Sequence, residues 1–170
     1  DSKVLKNFGF DDIDISTFYA YRNIFKSHKP DDARNALNDI DFLKNIGAYK
    51  TDRESGITGL TVAGLLMFGK SISIEDALPN YNLDYQERPR AVTEQRWIDR
   101  VTIDGSWSGN VFDFYRIVIN KLFANIKVPF KLEGDKRKDD TPVHHAIREA
   151  LINTLVHADF TDRISVLIVK

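Results

Sequence analysis

The sequence predicts an α+β fold of mixed helices with short, mainly antiparallel strands. Three observations predict it. Apolar residues recur at three- and four-residue steps, most clearly Val111, Phe112, Tyr115, Val118, Ile119, Leu122, Phe123 and Ile126, which is the spacing of one helix face. Short apolar or alternating runs bounded by turn residues lie elsewhere, as in AYKTDRESGIT (48–58) and RISVLIVK (163–170). Helices and strands do not alternate strictly, which separates α+β from a parallel α/β sheet.

Taken in order, residues 1–12 have mixed charge and a glycine, and suggest a tail or linker. Asp14 or Ser16 can cap a helix running to about Lys26, with Phe18, Tyr21, Ile24 and Phe25 at helical spacing. Pro30 disfavours helix in the residue before it. A second helix is expected from Asp39 to Ile46, closed by Gly47 as a left-handed cap. The 48–58 segment reads as strand, polar turn, strand. Thr61 caps a short apolar helix, VAGLLMFG, in which Gly64 permits close approach of another backbone. Residues 72–78 form a helical turn before Pro79. Tyr81–Gln86 and Trp97–Ile103 are strands joined by ERPRAVTEQ, and the 105–109 turn leads into the clearest helix, from Ser108 or Asn110 to about Asn125. A strand at 128–132, a charged loop at 134–141, a helix from Pro142 to Ala158 and a strand at 164–169 complete the chain. That last helix starts on Thr141, with Pro142 in its first turn, and the spacing of Val143, Ile147, Ala150, Leu151, Thr154 and Ala158 marks a buried face.

Composition narrows the chemistry. The 24 Lys+Arg against 25 Asp+Glu give a net charge of -1, which excludes a strongly basic nucleic-acid coat. With no cysteine, disulfides, thiolate zinc sites, iron–sulfur clusters and cysteine nucleophiles are excluded. No apolar run approaches the length of about 18 residues that a membrane helix needs. The start DSKVLKNF carries neither Met nor a signal core, and RISVLIVK reads as a strand with no partner after it. Both features suggest a piece of a larger protein.

The most specific pattern is in the last helix. His145, Glu149, Asn153 and His157 are each four residues apart, so they share a broad helix side that drifts by about 40° per step. The ordinary reading is a solvated side with i,i+4 contacts. A transition-metal site from His145, Glu149 and His157 lacks the two-His turn of H-E-x-x-H. A Glu and an Asn working around Mg²⁺ and a phosphate chain is the other reading: Mg²⁺ prefers oxygen ligands such as the Asn amide, and Glu can orient or deprotonate water.

These residues carry a resemblance. REALINTLVHADF (148–160) followed by a strand resembles the opening of the nucleotide-binding module of RecG-like transcriptional regulators. That family pairs an N-terminal Schlafen-like, Alba-type DNA-binding domain with a C-terminal ATPase module of the GHKL superfamily. Upstream, Asp39 with Phe42-Leu43, LTVAGLLMFGK (60–70), Leu78-Pro79, Arg100, Gly105 and the helix from Asn110 resemble the segment between the two domains. The resemblance implies a connector domain at 13–135 and a truncated ATPase-like module at 136–170. It implies Glu149 as the general base, Asn153 as ligand of the nucleotide's Mg²⁺, and His157 as a neighbour in the cofactor site. ATP and Mg²⁺ are then cofactors of the intact protein, with none bound tightly by this piece, which is inactive alone. DNA is a partner through a domain outside this chain, with no membrane contact and a cytoplasmic location.

A second class of function stays open: a non-enzymatic protein-interaction or dimerisation domain. Arg88, Arg90, Arg96 and Arg100 lie near Trp97 and Tyr85; such interleaving suits a protein interface or base stacking. Lys136-Arg137-Lys138 is flanked by acids and reads as solvated loop. Gly56-Ile-Thr-Gly59 lacks the Lys-Ser/Thr ending of a phosphate loop. His28, His144 and His145 read as surface residues.

Overall fold

The computed structural model describes residues 2–89, 97–124, 126, 132–133, 136–137, 141–163 and 166–170. Side-chain caps set where most of its helices begin, because a helix leaves its first N–H groups without partners. Asp14 accepts from the Thr17 N–H at the head of α1 (Ile15–His28). Asn38 accepts from Asp41 at the head of α2 (Asp39–Asn45). The hairpin β1 (Tyr49–Thr51) and β2 (Thr58–Leu60) follows, antiparallel across the polar turn. Thr61 accepts from Gly64 and starts α3 (Val62–Phe68). Ser71–Ala77 is a full helix, α4, longer than the single turn its sequence suggests.

Next come β3 (Leu83–Glu87) and β4 (Asp99–Thr102), an antiparallel pair. Asn110 accepts from Asp113 and starts α5 (Val111–Phe123). Leu132–Glu133 (β5) pairs with Lys136–Arg137 (β6); Leu132 ends the expected strand, while β6 lies inside the segment expected to be loop. The rest of the expected strand at 128–131 lies outside the described residues, as do Arg90, Arg96 and Lys138. Then come α6 (Pro142–Val156) and β7 (Val166–Val169). β7 pairs parallel with β3, giving a three-stranded sheet ordered β4-β3-β7. The remaining strand pairs are antiparallel among the described residues, so the class is α+β as the sequence predicts.

Residues 2–12 are not a loose tail. The Leu5 N–H donates to the Leu60 carbonyl, Leu60 N–H to Phe8, and Val62 N–H to Lys3, at 2.9–3.0 Å. Leu5, Phe8 and Phe10 pack against the core. Their spacing fits neither a helix nor a strand, which is why periodicity misses them. Gly59 makes this crossing possible: a Cβ there would stand 2.6 Å from the Phe8 carbonyl oxygen.

One core runs through the molecule. At one end, Phe18, Tyr21, Phe42, Phe68 and Phe112 meet edge to face or tilted, with centroids 5.1–6.4 Å apart. This geometry favours aromatic quadrupoles beyond simple area burial. At the other end, Leu83, Tyr85 and Val101 of the sheet belong to the same core as Phe114 and Val118 of α5 and Leu151 and Leu155 of α6.

Candidate functional site

Helix α6 is anchored by its inner side. His144, Leu151 and Leu155 are buried and Ile147 is partly buried. The buried face is rotated from the expected one: Val143 is 53% exposed, and Ala150 and Thr154 also face solvent. The rotation follows from His144, which is core rather than surface. Its Nδ1 lies 2.8 Å from the Thr141 hydroxyl, and its ring meets Phe123 edge-on at 4.7 Å. One turn on, the Arg148 guanidinium lies 5.5 Å from the Phe123 ring centre.

With that side anchored, Glu149 and Asn153 project from the outer side of α6, both exposed. At 100° per residue, they lie between Ile152 and Val156 on one flank and Ala146 and Ala150 on the other. Ile152 and Val156 are themselves exposed, and exposed His145 lies on the same side between them, so the outer face mixes apolar and polar groups. The helix ends at Val156, and His157 is its C-cap, its N–H bonded to the Asn153 carbonyl at 3.1 Å. The structure thus aligns Glu149 with Asn153 and places His157 one turn further on, at the helix end. Among the described residues, no three His, Asp or Glu side chains gather to hold a metal, so the His145, Glu149, His157 metal reading is not assembled. Glu149 and Asn153 supply only oxygen ligands on adjacent turns, a donor set that suits Mg²⁺.

The strand that follows α6 enters the sheet beside β3. Alternation sends Val166 and Ile168 inward and Leu167 and Val169, about half exposed, outward. On this outer sheet face, Arg100 holds Asp84 through two bonds of 2.9 and 3.0 Å. Gln86 adds a third to Asp84 at 2.8 Å. The Arg100 guanidinium sits 4.7 Å from the Trp97 ring centre. The Arg/aromatic interleaving seen in the sequence is therefore partly spent on a network within the sheet.

On the inner face, Glu87 and Asp99 stand opposite each other. Lys121 pairs with Asp99, and the Lys170 ammonium lies 3.6 Å from Glu87 and 2.8 Å from the Lys121 carbonyl. Burial first, and then these two carboxylates, push the Tyr85 phenol up to about 12. This charged knot ties the end of β7 to β3 and α5. Sequence reasoning missed it, because its members come from four segments whose pairing only the sheet register reveals.

Among the described residues, no helix is long and apolar enough to cross a membrane. Residues 1–84 match the family model of a domain of unknown function, DUF8451. The fold is similar to the crystal structure of the DIP2311 protein from Corynebacterium diphtheriae, with a TM-score of 0.64 over 98% of this chain and 19% identity. The chain spans 30% of the length of that protein's chain, and at such identity the likeness is one of fold. No curated protein matches the sequence.

Proposed function

We propose that this chain is the connector of a cytoplasmic DNA-binding transcriptional regulator together with the opening of its ATP-binding module. The observation that carries the reading is the pair Glu149 and Asn153. They are on successive turns of one helix, exposed, framed by apolar residues, and followed by a strand that enters the sheet. An exposed carboxylate and amide on successive turns, flanked by exposed Ile152 and Val156, suit a surface that another layer covers around a charged ligand. Bound Mg–ATP would supply the phosphate chain and a Lewis-acidic metal. Asn153 would offer an amide oxygen to the metal, Glu149 would accept a proton from water at its carboxylate, and Ile152 and Val156 would line one flank. DNA contact belongs to a domain outside this chain.

The test is titration calorimetry of Mg–ATP on the intact protein beside its Asn153→Ala variant. Binding that is lost in the variant supports the reading. Equal binding by both proteins, or none by either while circular dichroism shows them folded, refutes it.

A second reading, a dimerisation or protein-interaction domain, is favoured by one observation. Leu167 and Val169 are exposed on the outer sheet face, on an edge strand, with Ile98 exposed on the opposite edge strand's side. Edge strands recruit partners by adding a strand. Analytical ultracentrifugation of wild type and Leu167→Glu tests it. A dimer that the variant abolishes supports it, and a wild-type monomer at 100 μM or so refutes self-association.

A further inference from the structure

We infer that the groove between the N-terminal segment and the β1–β2 hairpin binds a small amphipathic anion, an apolar body bearing a carboxylate or a phosphate. The inference is independent of the ATP reading. The cavity has a volume of about 690 Å³, within the range of roughly 300–1,000 Å³ typical of small-molecule sites. Leu5, Phe8 and Ile57 give it an apolar lining, and Lys3, Lys6 and Lys50 also line it.

The fold explains why these groups converge. Lys50 stands in register opposite Gly59, so no side chain from β2 fills the space beside it. The same glycine lets residues 5–8 cross close to β2. Asn7, at φ 67°, turns the segment just after Lys6.

The charge balance of the groove is one-sided. None of the three lysines has a carboxylate within ion-pair distance among the described residues. The one acid in the lining, Asp52, accepts from the Ser55 N–H at 3.1 Å and from its hydroxyl. The hydroxyl and then the N–H lower its carboxyl most; Lys50 adds the smallest of the pulls, beyond ion-pair distance, and Lys3 and Lys6 add none. Three like charges around one apolar floor repel one another, and an anionic head group relieves that repulsion while its apolar part covers Leu5, Phe8 and Ile57. A polyanion is a poorer match, because Glu54, Glu75 and Asp76 lie exposed beside the lining residues Ser55 and Ala77.

The experiment titrates the protein with dodecanoate, dodecyl phosphate, dodecanol and dodecyltrimethylammonium below their aggregation concentrations. Binding is followed by ¹H–¹⁵N chemical shifts. Both anions are expected to shift residues 2–8 and 50–57, and to bind at least tenfold more tightly than the alcohol or the cation. The tighter of the two anions assigns the head group. The double variant Lys3→Glu, Lys6→Glu should lose at least tenfold in anion affinity with an unchanged melting temperature, and Lys3→Arg, Lys6→Arg should retain it. No shift in the groove, equal binding of the cation, or undiminished affinity in the charge-reversed variant overturns the inference. Tighter binding of a short DNA duplex at the same residues does so as well.

Discussion

Asn110 should be the most costly polar side chain to remove from this fold. It is fully buried and serves three elements at once. Its Oδ1 accepts from the Asp113 N–H at 3.0 Å, capping α5. Its Nδ2 donates to the Thr17 hydroxyl on α1 and to the Gly69 carbonyl at the end of α3, both at 3.2 Å. Asn110→Ala removes a cap worth about 1 kcal/mol. It also strips a donor from the buried Gly69 carbonyl, a loss of about 1–3 kcal/mol. Thr17 keeps its bond to Asp113, so that arm adds little. The sum is about 3 kcal/mol, which for a chain of this length lowers the melting temperature by roughly 6–12 °C. Thermal scans and urea titrations of the variant should agree, with the urea midpoint shifted and the m-value unchanged. Asn120→Ala is the control, because Asn120 is exposed and its side chain bonds only the Arg116 carbonyl on its own helix among the described residues. A melting temperature for Asn110→Ala within about 2 °C of wild type would show that packing alone sets the start of α5, and would refute the reasoning.

Other consequences follow from the same geometry. A Cβ at Gly64 would stand 2.1 Å from the Ala48 carbonyl oxygen, so Gly64→Ala must push α3 off the hairpin; we expect a loss of about 3 kcal/mol in urea unfolding. Glu149→Gln and Asn153→Ala, on the exposed side of α6, should each change stability by less than about 0.5 kcal/mol, so that any loss of ligand binding cannot be laid to misfolding. The Asp32 carboxyl is held well below the usual range, first by the Arg34 side-chain bond and then by the Arg34 N–H. A lowered carboxyl favours the fold above its unfolded pKa of about 3.9 and loses that contribution as pH falls. Asp32→Asn should therefore flatten the decline of melting temperature on the acid side. A phenol raised to about 12, as at Tyr85, favours the fold below about pH 10 and loses that contribution as pH rises. Absorbance at 295 nm should show this residue ionising later than the exposed tyrosines, and early ionisation of all tyrosines would contradict it.

Much of this fold was legible because its signals are local. Asp14, Thr61 and Asn110 cap helices as their residue types suggest. The hairpin turn falls at the polar run, and Gly64 does mark a backbone crossing. What stayed hidden depends on partners far away in sequence. The buried side of α6 is rotated because His144 finds Phe123, a contact with no periodic trace. The parallel pairing of β7 with β3 joins strands some 80 residues apart. The groove lysines come from two segments, and neither segment alone reads as a cationic site. Glu149 and Asn153 were visible because four-residue spacing on a helix is itself a geometry, whereas the helix end at Val156, with His157 as its cap, comes two residues earlier than the spacing suggests.

The last of these contacts bear on whether 136–170 is a unit of its own. Leu151 and Leu155 are 3% and 4% exposed within the same core as Phe114 and Tyr85, and β7 completes the sheet beside β3. Elements that share one core and one sheet should unfold together. Leu151→Ala should therefore lower the stability of the whole chain by about 2–5 kcal/mol, not merely detach α6. In a Trp97→Phe background, Trp107, stacked on Phe114 at 6.0 Å, reports on the α5 side, while far-ultraviolet dichroism reports on all the helices. In the variant the two probes should shift together and stay coincident. If dichroism falls first while the Trp107 signal holds, α6 and β7 melt separately, and the 136–170 segment is an independent module that merely rests on the connector. Coincident transitions would instead mean that α6 and β7 belong to one cooperative unit with α5 and the β3–β4 pair, because Leu151, Leu155 and β7 bind them into a single core and sheet.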